Sequence, residues 1–303
     1  MPLIESVPNF SEGRRPDVVE AIVEAVRSSG AIRVLDRSSD PDHNRTVLTL
    51  AGEPEPLLAG LEALVAACVE RIDLTRHSGR HPRMGAVDVV PLVPIRDVTL
   101  SECAGYARAL GERVARRHDL PVFLYEEAAS APHRRDLASI RKGEFEGFAD
   151  KIRDPLWKPD FGPDRVHPTA GCVAIGAREF LIAFNINLTT SDVEVARRIA
   201  QAIRHSGGGL RYVKAMGLLL EDRRQAQVSI NMTDFRRTPL HRVFEMVRSE
   251  AERYGVAIAG SEIVGLVPQD ALLQTAEHFL RLEKFDSGLL FERRLETTAA
   301  GDR

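Results

Sequence analysis

The chain has 303 residues, 44% of them hydrophobic and 28% charged, with a formal net charge of -3 and a pI near 6.3. That length allows two domains, and that charge gives no global attraction to nucleic acid or to an anionic membrane. The three cysteines, Cys68, Cys103 and Cys172, are far apart and form no CxxC pair. This argues against a disulfide framework or a structural zinc site and for a reducing compartment.

The start, MPLIESVPNFSEG, lacks a basic stretch leading into a long apolar run. No window approaches the ~20 apolar residues of a membrane span, so a cytoplasmic protein is expected.

In chain order, LIESVP reads as a strand. Pro16 opens a helix whose apolar face is Val18, Val19, Ile22, Val23 and Val26, ended by Gly30. AIRVLD is a strand, SSDPDHN a turn-rich stretch, RTVLTLAG a strand and PEPLLAGLEALVAACVERI a helix begun by proline. After the loop RHSGRHPRMGA comes the β-rich run VDVVPLVPI. A helix over SECAGYARALGERVARRH follows, with Ser101 as its expected N-cap, and then the strand PVFLYEEA. Ser130 to Gly171 is rich in Pro, Gly, Asp and Arg, with short helices; an irregular stretch of this length is usually functional or a linker, and it separates the first half from the second.

Beyond it, EFLIAFNINL is a strong strand, followed by a helix from about Ser191 to Arg204. LRYVKAMGLLL and AQVSINMTD are strands joined by EDRR. A helix over TPLHRVFEMVRSEAERYG is predicted with Thr238 as N-cap and Pro239 first. VAIAGSEIVG is a strand and PQDALLQTAEHFLRL a helix. The expected fold class is α+β: two similar sheet-and-helix units of βαββαβ type. They are placed at residues 1–178 and 179–295, with 296–303 a disordered tail.

The densest polar segment is RHSGRHPRMGAVD, with Arg76, His77, Arg80, His81 and Arg83 within eight residues. Cations so close need anions nearby, so an acid/base histidine beside carboxylate-binding arginines is favoured over a solvated basic loop. His77 and His81 are four apart, as helical metal ligands would be. Gly79 and Pro82 break a helix there and the arginines disfavour a cation, so no metal is expected.

Asn9 in PNFSEG stands at a strand end, and Ser11 reads as a helix cap. DPDHNRTV offers Asp40, His43, Asn44 and Arg45, for which a turn is the plainer reading. Asn185 and Asn187 share one face of a strand and need partners. DFGPDRVHPTAG has enough open backbone to cradle a planar heterocycle. There is no Walker loop, GxGxxG or GxSxG.

Taken together and in this order, VPNFSEG, DHNRTV, RHSGRHPRMGAVDVVPLVPI, LPVFLYEEAA, WKPDFGP, GAREFLIAFNINL and GSEIVGLVP resemble the glutamate formimidoyltransferase family, from about Leu3 to about Leu273. The resemblance implies two subdomains with a ligand groove between them. It implies transfer of a formimino group from N-formimidoyl-L-glutamate to tetrahydrofolate as co-substrate, in histidine degradation. It makes His81 the catalytic residue. It makes Gly162, Pro163, Asp164, Arg165, Val166, His167, Pro168, Thr169, Ala170 and Gly171 the folate loop.

Beside it, Asp36 or Asp40 is expected to orient His81, and Arg80 and Arg83 to bind substrate carboxylates. Asn9, Asn44, Arg45, Asn185, Asn187 and Glu262 complete the expected substrate contacts. A homodimer is implied, with a separate cyclodeaminase to finish the pathway. Ser38 stands where the animal form carries an acidic residue, and Glu262 where it carries glutamine. Formyl transfer from N-formyl-L-glutamate and a non-catalytic folate-binding protein stay open as other readings.

Overall fold

The computed structural model describes residues 1–295. The tail expected at 296–303 lies outside them. The chain divides after Glu179 into two units.

The first unit runs β1 (Leu3–Ser6), β2 (Asn9–Phe10), α1 (Pro16–Arg27), β3 (Arg33–Asp40), β4 (Arg45–Gly52), α2 (Pro54–Arg71), β5 (Val87–Arg96), α3 (Leu100–His118), β6 (Val122–Glu126), α4 (Leu137–Arg141), α5 (Glu144–Lys151) and β7 (Val173–Ala177). β1 and β2 are two pieces of one line between β4 and β5. β3 extends the antiparallel side, and β7 and β6 extend the other side in parallel with β5.

Strand alternation divides the side chains between two faces. Ile4, Phe10, Leu48, Leu50, Leu92 and Ile175 point into the main core. They meet Ile22, Val23, Leu57, Leu61, Leu110 and Val114 of the three long helices. On the opposite face, Val89, Phe123, Tyr125 and Ala174 are covered by Ile140, Phe148 and Ile152. The irregular region is thus a lid of short helices over the parallel half of the sheet. The antiparallel half of that face carries polar side chains instead.

The second unit runs β8 (Ile182–Leu188), α6 (Val193–Ile203), β9 (Val213–Leu220), β10 (Gln225–Met232), α7 (Leu240–Glu252), β11 (Ile258–Val264) and α8 (Gln269–Leu280). Its antiparallel sheet has the order β11-β8-β10-β9. The matching strands of the first unit, β5-β1-β4-β3, lie in the same order, so both units share a βαββαβ plan. Phe184, Ile186, Val228 and Ile230 face Ile199, Ile203, Val243 and Val247 in this unit's core.

Several local expectations are corrected. Ser38, Ser39 and Asp40 belong to β3 rather than to a turn, because each is paired across to β4. α1 ends at Arg27, before Gly30. The α3 cap is Thr99, not Ser101: its hydroxyl accepts from the Glu102 amide while the Glu102 carboxylate accepts from Thr99, a reciprocal capping box. Thr238 does not cap α7, because its hydroxyl donates to the Arg211 carbonyl and Pro239 occupies the cap position. Ser11 does not cap α1 either. Glu12 Oε1 takes the free amides of Arg14 and Arg15 at 2.8 and 2.9 Å. Strand β7 is an addition to the elements expected from the sequence.

Candidate active site around His81

Register places several candidate residues on one surface. Asp40 is paired opposite Arg45, Ser38 opposite Val47, Val47 opposite Asn9, and Asp36 opposite Thr49. Directly paired residues project to the same side, so Asn9, Asp36, Asp40 and Arg45 all rise from the polar part of the sheet face. The odd-numbered run of β4 supplies this face while Leu48 and Leu50 fill the core behind it. Asn9 also folds its amide back onto the Val7 carbonyl at 3.0 Å.

Across this face runs the loop from His77 to Ala86. Two close approaches fix its path. A side chain at Gly79 would put a Cβ 2.3 Å from the His43 carbonyl oxygen, and one at Gly85 would put it 1.9 Å from that of Cys172. Asn44 holds the loop to the β3–β4 turn, donating to the Ser78 carbonyl and accepting from the Gly13 amide, both at 3.0 Å. Asn44 adopts φ 49° to do so. Ser11 ties the far end, donating its hydroxyl to the Gly85 carbonyl and its amide to that of Ala86, both at 2.8 Å.

Arg83 is buried in this loop, and its guanidinium is already filled. Its two terminal nitrogens donate to the two Glu146 oxygens at 2.8 and 2.6 Å, and Nε donates to His77 Nδ1 at 3.1 Å. The arginine expected to receive a substrate carboxylate is therefore bound by the protein's own carboxylate. His77 in turn donates Nε2–H to the Asn44 carbonyl at 2.9 Å. Both its ring nitrogens are engaged, which leaves no lone pair for a metal. Arg80 is exposed.

His81 is half-buried among cations. Burial, then Arg45, Arg141, His43 and His77, push its pKa down to about 3. Asp40, expected as an orienter of His81, is committed to His43: Oδ2 meets His43 Nδ1 at 2.6 Å, and Oδ1 accepts the amides of Asp42 and His43. The His43 ring stands edge-on to that of His81 with centroids 6.4 Å apart. Asp36 lies further along β3, opposite Thr49.

Arg141 and Asp88 were not singled out in the sequence. Arg141 reaches from α4 to donate to Asp88 Oδ2 at 2.5 Å, while Asp88 Oδ1 accepts the Met84 amide at 2.9 Å. Burial lowers the pKa of Arg45, and Arg141 adds to this while Asp40 and Asp88 oppose it.

The loop 162–171 starts on one side of this unit and finishes at the histidine loop. Gly162 turns at φ 87° against the Leu120 carbonyl, beside a hollow of about 390 Å³ lined by Glu112, Arg116 and Asp119 of α3 and its cap. Arg165 pairs with Asp119. His167 Nδ1 accepts the Ala170 amide at 3.0 Å. At its end, Ala86 donates to the Ala170 carbonyl and Cys172 donates to the Met84 carbonyl, both at 2.9 Å. Gly85 and Gly171 thus form a two-residue β-bridge joining the loops.

Asn185, Asn187 and Glu262 belong to the second unit. They lie on the face of its sheet opposite the core, joined by a residue the sequence reading missed. Gln227 donates to Asn187 Oδ1 at 2.8 Å and to Glu262 Oε1 at 3.1 Å, and Asn185 donates to the same Glu262 oxygen at 3.2 Å. Only the alternation of polar residues in QAQVSIN signals Gln227.

Among the described residues, no group of three or more metal-ligating side chains was found, and no helix is long and apolar enough to cross a membrane. The formiminotransferase domain, N-terminal subdomain, matches residues 3–178, and the formiminotransferase domain matches residues 183–294. The chain is 47% identical to glutamate formimidoyltransferase of Streptococcus pyogenes serotype M1, covering 94% of this chain and 95% of the relative. It is 46% identical to glutamate formimidoyltransferase of Thermoplasma acidophilum, covering 99% of each. It is 44% identical to formimidoyltransferase-cyclodeaminase of Mus musculus, covering 93% of this chain and 53% of that longer protein. The chain belongs to the formiminotransferase family of one-carbon group transferases.

Proposed function

We propose that this enzyme transfers the formimino group of N-formimidoyl-L-glutamate to tetrahydrofolate, giving 5-formimidoyltetrahydrofolate and L-glutamate in histidine degradation. The observation that carries the reading is the backbone bridge between Gly85 and Gly171. It puts the end of the proposed folate loop, Gly162 to Gly171, next to the loop that bears His81.

In this reaction the folate N5 attacks the amidine carbon and forms a new C–N bond. The tetrahedral centre then expels the glutamate nitrogen as the old C–N bond breaks. One proton must leave N5 and one must reach the departing nitrogen. His81 does both in turn, accepting the first and returning it to the second. Held neutral by burial and by Arg45 and Arg141, it starts in the state that accepts a proton. In this reading the loop 162–171 holds the acceptor at the attack distance.

Asn9, Asp36 and Asp40 border the same face, and Arg80 is left for the folate's glutamate tail. Asn185, Asn187 and Glu262, joined by Gln227, are the substrate contacts proposed for the second unit. Tetrahydrofolate is a co-substrate and no metal takes part. The enzyme works in the cytoplasm on small molecules, as a homodimer, with a cyclodeaminase acting on its product.

The test is turnover of tetrahydrofolate with each of two donors, N-formimidoyl- and N-formyl-L-glutamate, followed by the absorbance of the product. Turnover of the formimidoyl donor is expected, together with a ~10²–10⁴-fold loss of kcat in His81→Ala at unchanged circular dichroism. Preference for the formyl donor would replace the donor assignment. Folate binding with neither donor consumed would replace the enzyme reading by a carrier.

A further inference from the structure

We propose that Arg45 and Arg141 together form the site that receives a carboxylate of the donor's glutamyl group beside His81. This rests on the reading of the donor given above and adds the two residues that would recognise it.

The carboxylate has few other places to go on this face. Arg83 is filled by Glu146, and Arg80 is exposed to solvent, where a carboxylate is held weakly. Arg45 and Arg141 remain, one from strand β4 and one from helix α4, and both act on His81. Each has a buried Nε for which the structure holds no acceptor. The nearby carboxylates are spent: Asp88 on Arg141 Nη2 and the Met84 amide, and Asp40 on His43 and the Asp42 amide. Two guanidiniums therefore share a partly buried place with unfilled donors, a ready receptor for one planar anion.

The site also explains how a histidine so strongly depressed can act as a base. The groups acting on it are Arg45 of β4, Arg141 of α4, His43 of the β3–β4 turn and His77 of its own loop, while Asp40 and Asp88 act on Arg45. An imidazole this weakly basic is a poor proton acceptor. An anion seated on the two arginines cancels the repulsion that they exert on the imidazolium. The donor's own carboxylate thus makes His81 a better base, and proton transfer is tied to occupancy of the site.

Glutarate, a dicarboxylate without the amidine, is the probe. It is titrated into the full-length wild-type protein while the His81 ring is followed by NMR, assigned by loss of its signal in His81→Gln. Saturable binding is expected, with the His81 midpoint moving up by about one pH unit or more. Arg141→Lys and Arg45→Lys keep the charge but lose the Nε donor. They are expected to keep the wild-type melting temperature, to lose the glutarate-induced shift, and to raise KM for the donor roughly 10–100-fold with KM for tetrahydrofolate unchanged. Wild-type glutarate binding in both lysine variants, or a His81 midpoint that does not move on saturation, would overturn the proposal. The glutarate binding and the His81 shift need no turnover. Binding and shift without formimidoyl transfer would leave the anion site standing and remove the donor, whereas transfer without binding or shift would do the reverse.

Discussion

His81 resists its proton down to about 3 in the folded chain, against 6.5 for an ordinary histidine. The unfolded chain therefore binds more protons between these values, and stability is lost as pH falls through that window and is fully present above it. His77 is depressed too, first by burial, and contributes with the same sign. Urea midpoints measured from pH 7 to pH 4 are expected to fall less steeply for His81→Asn than for the wild type; parallel slopes would contradict the buried, cation-ringed setting. At this scale the sequence was informative where charge is dense along the chain, which is why His81, Asn44 and Arg45 stood out. It was silent on Arg141, which acts on His81 from another element, and on Glu146, which fills Arg83. Neither sits in an unusual sequence pattern, so only the folded chain reveals them. Asp40 shows the opposite error: the residue was seen, but its carboxylate serves its near neighbour His43.

Helix α5 and the histidine loop act as one element. Glu146 holds the Arg83 guanidinium, and the Phe145 amide donates to the Arg83 carbonyl at 2.9 Å. Glu146→Gln keeps the shape and loses the charge, and with Glu146 largely exposed the expected loss is about 1–2 kcal/mol, read by thermal unfolding. Faster amide exchange from His77 to Gly85 should accompany it, and unchanged exchange would show that the loop stands without α5. Gly85→Ala is a harder change, because the added Cβ meets backbone oxygens of Cys172 and Val87 at 1.9 and 2.4 Å. A loss of about 3 kcal/mol or more is expected in chemical denaturation. Most elements were legible from their patterns, since β4 is a run of β-forming apolar residues and α2 an apolar run begun by proline. Strand β7 escaped because CVAIGA is a short apolar run directly behind an irregular stretch. The cap of α3 was misplaced because Thr99 and Ser101 both stand near its start, and that of α7 because the nearby hydroxyl, Thr238, turns to the Arg211 carbonyl instead.

At the scale of the whole molecule, the repeated βαββαβ plan was readable because each unit alternates strands and long amphipathic helices. The covering role of residues 130–157 was not, because Ile140, Phe148 and Ile152 are too sparse to show a period. The loop proposed for the acceptor follows that cover, and it is fastened at both ends. Val122 donates to the Phe161 carbonyl at 2.9 Å where it starts, and the bonds from Ala86 and Cys172 close it. A segment closed by the fold itself has little chain entropy left to surrender when a ligand arrives. Folate binding to this loop should therefore show a small entropic penalty in calorimetry. Two glycines inserted after Asp164 should leave the melting temperature nearly unchanged while making the binding entropy less favourable, and an unaltered entropy would place the acceptor elsewhere. On the function proposed above, the glycine bridge that joins two loops is also a thermodynamic device: the ordering that recognition needs is completed during folding, before any substrate is met.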